Sequence, residues 1–162
     1  MASLKIIKFP DPVLQRRASS VEVIRPEERA LVDNMLETMY LNQGVGLAAS
    51  QVSVLKRIIV VDVGGGPIDL INPAIAARIG SEKAKEGCLS LPGIMVPVRR
   101  AKKIRYKCLN RDGKLTEGEA EGLLARAIQH EIDHLEGRLI IDYVNPVKRF
   151  FLKKKILKNP QP

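Results

Sequence analysis

Both histidines of this 162-residue chain fall in one segment, Gln129-His-Glu-Ile-Asp-His-Leu-Glu136. His130 and His134 stand in an H-E-x-x-H pattern, which places two imidazoles one turn apart on a single helix face. Both rings can then reach one metal ion, and Glu131 beside them offers a carboxylate to handle a proton. Two histidines leave such a site incomplete, because a catalytic metal needs a third protein ligand and an open position for water. No histidine follows His134. Asp133 falls on the wrong side of the helix, and Glu136 and Asp142 lie too close in sequence to serve as a second-helix ligand. The best candidate is Cys88, in Glu86-Gly-Cys-Leu-Ser-Leu-Pro-Gly93. A thiolate is a strong ligand for Zn²⁺ or Fe²⁺, and Gly87 lets the backbone approach closely. Burial as a small hydrophobe is the commoner fate of a lone cysteine. Cys108, midway along an expected strand, fits that description better.

The elements that must position these residues are legible from period and punctuation. Pro26-Glu27-Glu28 supplies a helix start. Leu31, Val32, Met35, Leu36 and Met39 then recur at helical spacing, so an amphipathic helix is expected over 26–42. The glycine-punctuated segment from Gly44 to Gln51 follows. A buried strand is expected over 57–63, ended by a turn at Gly64-Gly65-Gly66-Pro67. Shorter strands are expected at 68–72, 74–79, 103–109 and 114–120, with Asp112-Gly113 as a hairpin turn. A second helix should run from Gly122 to Leu135, with Gly137 as its stop. At about 100° per residue, Leu123, Ala127, His130 and His134 share one stripe, and Leu124, Ile128, Ile132 and Leu135 form the stripe facing the core. Leu123 and Ala127 on the first stripe offer walls for an apolar pocket, and whether Arg126 borders it stays open. Residues 138–143 read as one more strand, and the basic segment after Pro146 as a terminal helix. The fold class is α+β, with mainly antiparallel strands around a central helix carrying H-E-x-x-H, plus an N-terminal and a C-terminal helix.

Composition bounds the function. The chain is 45% hydrophobic, enough for a core, but only 4% aromatic and without tryptophan. No apolar run approaches the roughly 20 residues that span a bilayer. The N-terminus is too polar to be a secretory signal, so a cytoplasmic protein with no membrane association is the expectation. Two cysteines make no disulfide framework, and free thiols are expected. Net charge is +9. Lys148, Arg149, Lys153, Lys154, Lys155 and Lys158 form one basic cluster, and Arg99, Arg100, Lys102, Lys103, Arg105 and Lys107 another. Each reads first as solvated surface, and second as a surface for a polyanion such as RNA. Without aromatic interleaving, sequence-specific nucleic-acid recognition is disfavoured.

Three segments together resemble the peptide deformylase family: Gly44-Val-Gly46-Leu-Ala48-Ala49-Ser-Gln51, Glu86-Gly-Cys-Leu-Ser90 and Gln129-His-Glu-Ile-Asp-His134. They match that family's G-x-G-x-A-A-x-Q, E-G-C-L-S and Q-H-E-x-D-H motifs in order and spacing. The resemblance runs from near residue 4 to about 145 and departs at Ser50, where many members carry proline. It implies a catalytic domain over 1–146, with 147–162 as a basic helix or tail of the same domain. The implied activity is removal of the N-formyl group from the formylmethionine of nascent polypeptides. By the same resemblance Cys88, His130 and His134 hold one divalent metal, Fe²⁺ expected, with Zn²⁺, Ni²⁺ or Co²⁺ able to substitute. Glu131 is then the general acid/base, and the Gln51 amide and Leu89 N–H face the developing oxyanion. Val45, Gly46 and Gly87 would line the substrate backbone, and Leu123 and Ala127 the methionine pocket. The ribosome is an expected partner through the basic C-terminal segment, and a monomer is the default. Two rival readings are an H-E-x-x-H endopeptidase and a basic RNA-binding module with a structural metal.

Overall fold

Proline at the start of a helix lacks an N–H that the first turn would leave unbonded, and carboxylates there face the positive end of the helix dipole. Pro26, Glu27 and Glu28 accordingly open helix α1 (Pro26–Leu41), one residue shorter than the spacing implies. A computed structural model describes residues 2–158; positions 159–162 of the expected basic tail lie outside the described residues. The strands follow as β1 (Gly46–Ala48), β2 (Ile58–Val61), β3 (Ile68–Ile79), β4 (Glu82–Cys88), β5 (Leu91–Arg100), β6 (Lys103–Leu109) and β7 (Leu115–Glu121). Helices α2 (Gly122–Leu135) and α3 (Pro146–Lys158) complete the order. The larger sheet is antiparallel throughout, in the order β1-β2-β3-β6-β7, and β4 and β5 pair as a separate antiparallel hairpin. This is the α+β class that the sequence implies.

Strand β2 explains how the layers stack. Its four residues Ile58-Ile-Val-Val61 are all fully buried, because both faces of the sheet are covered. Alternation sends Ile58 and Val60 to one face, where they join Val32, Met35 and Met39 of α1. Ile59 and Val61 go to the other, against Ile128 and Leu135 of α2. The helix with the two histidines therefore lies on one face of the sheet, its Leu124-Ile128-Ile132-Leu135 stripe inward as the period implies. A third cluster joins Leu91, Ile94, Val96 and Val98 of β5 to Leu14, Ile140 and Ile141, with Leu152 and Ile156 of α3 packed against it.

Three expectations are corrected. Residues 138–143 form no strand; Ile140–Tyr143 is a 3-10 turn. The Asp142 carboxylate accepts from the Leu139 N–H at 2.9 Å, which closes the turn, and the two isoleucines bury themselves without strand pairing. The runs at 68–72 and 74–79 are one strand, β3, with irregular register around residues 71–77. Asn72, at φ 53°, sits in that irregularity and exchanges two 2.8 Å hydrogen bonds with the backbone of Val21. Arg100, grouped by sequence with surface cations, is buried. Strand alternation accounts for it: Val96, Val98 and Arg100 point inward on β5, and Met95 and Arg99 outward.

Candidate active site

Helix α2 carries His130 and Glu131 to one wall of a cavity of about 360 Å³, with His134 buried one turn on, and the C-terminal end of β4 carries Cys88 to another wall. The Cys88 Sγ lies 3.3 Å from His134 Nε2. One donor atom from each of Cys88, His130 and His134 lies within 4.8 Å of the other two. Tetrahedral ligands at ordinary Zn–N and Zn–S distances stand about 3.5 Å apart, so only a small contraction closes this set on a divalent ion. A thiolate and two imidazoles also form a suitable donor set chemically.

Glu86 fixes the ring of His130. Its Oε1 lies 2.9 Å from His130 Nδ1, which leaves Nε2 for the cavity. Arg100 grips the same carboxylate through two 2.9 Å bonds, and Arg126 Nη1 adds a third at 2.6 Å. Burial alone would raise the pKa of Glu86, but the bonds from Arg100 and His130 outweigh it and bring the carboxyl down to about 2. Arg100 also donates to Asp133 at 2.5 Å, and the Tyr143 hydroxyl donates to the same Asp133 oxygen. Asp133 thus faces away from the cavity and steadies the arginine behind the first histidine.

The two imidazoles shift in opposite directions. Burial, then the neighbouring His130 and Arg100 charges, hold His134 well below its usual pKa, so it stays neutral. Burial also disfavours a charged His130, but hydrogen bonds to Cys88 and Glu86 and the Glu131 carboxylate outweigh it and raise its pKa. The pocket thus favours one positive charge beside the Cys88 sulfur, which a metal cation would supply.

Glu131 is the least satisfied polar group here. Its Oε2 is buried with no hydrogen-bond partner, and its Oε1 lies 3.8 Å from His130 Nε2. Burial pushes this carboxyl up to about 7. A buried carboxyl that changes protonation near neutrality is suited to move a proton. Space for it depends on Gly46: a Cβ there would stand 2.8 Å from Glu131 Oε1.

Gln51 enters from a 3-10 turn at Ala49–Val52. Its Oε1 accepts from the Ala48 N–H at 3.0 Å, which turns Nε2 toward Ser90 Oγ at 3.1 Å and Cys88 Sγ at 3.6 Å. Val45, Gly46, Gly87, Leu89, Leu123 and Ala127 all line the cavity, and His134 lies among the donor atoms. Arg126, left open by sequence, lines it as well. Cys108 sits apart, buried in β6, where burial and then the charge of Asp69 push its thiol up to about 11. Sequence reasoning quoted Glu86 without giving it a role and missed Arg100. Gln129 was likewise quoted in its motif without a role; its amide bonds both the N–H and the C=O of Ala101 at 3.0 Å. The signals for Glu86 were a carboxylate two residues before the cysteine and its place at the head of the E-G-C-L-S motif.

Residues 3–150 match the model of the polypeptide deformylase family. A peptide deformylase of Thermodesulfovibrio yellowstonii is 50% identical over 160 residues, covering 96% of this chain and 97% of that protein. Among solved structures, the peptide deformylase of Ehrlichia chaffeensis superposes with a TM-score of 0.94 at 40% identity, covering 97% of this chain and 96% of that one. It has also been solved in complex with actinonin. The enzyme of Thermotoga maritima gives 0.87 at 46% identity, covering 90% of this chain and all of that one.

Proposed function

The chain belongs to the polypeptide deformylase family, enzymes that remove N-formyl groups, and from that premise we propose a metal-dependent hydrolase acting on the formylmethionine of nascent polypeptides. One observation carries the reading: the unpartnered, buried carboxylate oxygen of Glu131 stands beside the Cys88-His130-His134 donor set. Those three residues would hold a single divalent ion, Fe²⁺ in the first place, with Zn²⁺, Ni²⁺ or Co²⁺ substituting. When bound, such an ion acts as a Lewis acid that makes water nucleophilic at neutral pH.

The chain's own residues do the rest. Glu131 takes the proton of the attacking water and returns it to the leaving amine. The oxygen of the formyl group, as it becomes anionic, is met by the Gln51 amide and the Leu89 N–H, both already at the cavity wall. The segment 44–46 that leads into β1, with Gly87 also at the cavity, is where an extended peptide backbone pairs. Leu123 and Ala127 supply the apolar surface that a methionine side chain requires. The proposed setting is the cytoplasm, where such chains are made.

An H-E-x-x-H endopeptidase with a carboxylate as third ligand would keep its metal when Cys88 is lost. A Cys88→Ala variant is therefore expected to purify without stoichiometric metal while His130 and His134 remain, as read by elemental analysis. One equivalent of metal in that variant would contradict the ligand assignment.

A further inference from the structure

On the face of the molecule behind Arg100, three hollows of about 330, 510 and 490 Å³ run together, and Arg138 borders all three. Their walls carry Arg17, Arg57, Arg78, Arg99, Arg100 and Arg138 over an apolar floor of Ile75 and Ile132. The carboxylates that reach this trench are already engaged. Glu136 receives Arg17 at 2.6 Å and Arg57 at 2.9 Å, Asp133 receives Arg100, and Asp142 at the third hollow accepts from the Leu139 N–H at 2.9 Å. Among the described residues no carboxylate within 4.0 Å pairs with Arg78, Arg99 or Arg138. Arg99 bonds only the Ser81 hydroxyl, at 3.2 Å, and Arg138 lies over the Tyr143 ring.

We propose that this trench binds the phosphodiester backbone of RNA. Guanidinium forks match phosphate oxygens in geometry as well as charge. An open trench with cations spaced along it suits a polymer, whereas one small anion would call for a closed pocket. A concave surface also fits a strand better than a flat bilayer. The one ring among the residues lining the trench is Tyr143, and Arg100 and Arg138 already lie over it at 5.0 and 5.7 Å, so base stacking is not provided and binding is independent of sequence. RNA rather than another polyphosphate rests on the proposed reading that the substrates are nascent chains, which are made on an RNA-rich particle.

The test measures binding of a fluorescent 20-nucleotide RNA to the full chain across a salt series. An Arg78→Ser/Arg99→Ser variant is compared with wild type and with a Lys154→Ser/Lys155→Ser/Lys158→Ser variant of α3. Loss of two phosphate contacts should weaken binding about tenfold and reduce the slope of log K against log salt by about 1.4 for a single strand. The α3 variant should lose less. Hydrolysis of a small formyl-peptide by the Arg78/Arg99 variant should match wild type, which separates this inference from the fate of the deformylase reading. No RNA binding by wild type, unchanged binding by the Arg78/Arg99 variant, or a larger loss from α3 would overturn the proposal. Polyglutamate competing as well as RNA of equal charge would overturn it too, by pointing to an acidic protein.

Discussion

Glu131 and Gly46 form one functional pair even though only the first carries a reactive group. The carboxylate oxygen nearest the glycine would stand 2.8 Å from an added Cβ and its Cγ 2.9 Å, so an alanine must push the whole side chain aside. A displacement of about 1 Å in a reacting group costs on the order of a hundredfold in rate. Gly46→Ala should therefore cut turnover by roughly that factor while the fold, read by circular dichroism and thermal melting, survives, since a side chain and not backbone has to yield. Wild-type turnover would show that Glu131 has room to spare. Glu86 acts one bond further out. It orients His130, and outer partners of metal-ligating histidines are typically worth about 10–100-fold in metal affinity. Glu86→Gln keeps an acceptor but removes the charge that Arg100 and Arg126 grip. Metal affinity measured by chelator competition should fall within that range; undiminished affinity would contradict the orienting role.

At the scale of elements, helix α2 was legible to its ends because period and glycine stop agree over Gly122–Leu135. The β4–β5 hairpin was not. Glu82-Lys-Ala-Lys-Glu86 offers no large apolar residue, and β5 contains Pro92 and Pro97, both of which argue against a strand when read locally. Its inward row, Val96-Val98-Arg100, becomes intelligible only when Glu86 and Asp133 are known to wait for the arginine, and those partners are 14 and 33 residues away. The strand expected over 138–143 fails for the opposite reason: the run is apolar enough for a strand, but the Asp142 carboxylate closes a turn there. Helix α3 leaves Phe150 and Phe151 exposed and lays Leu152 and Ile156 on the third cluster, and none of its residues lines the cavity. On the reading that the basic segment serves association with the ribosome, truncation before Val147 should spare hydrolysis of a small formyl-peptide and weaken co-sedimentation with ribosomes. A large fall in turnover with the fold intact would contradict it.

In the whole molecule the reactive groups converge from three places: β1 with the turn after it, the end of β4, and α2. The two apolar faces of β2 hold α1 and α2 on opposite sides of one sheet, so α2 is fixed before any ligand arrives. The hairpin of β4 and β5 is not paired to that sheet, and the buried grip of Arg100 on Glu86 and Asp133 joins it to α2. The most direct test is anaerobic hydrolysis of formyl-Met-Ala-Ser by purified protein with one equivalent of Fe²⁺, beside a Glu131→Gln variant loaded in the same way. Formate release by wild type, with loss of nearly all of it in the variant, is the expected result. No formate from folded, fully metallated wild type, or equal release by the variant, would contradict the account.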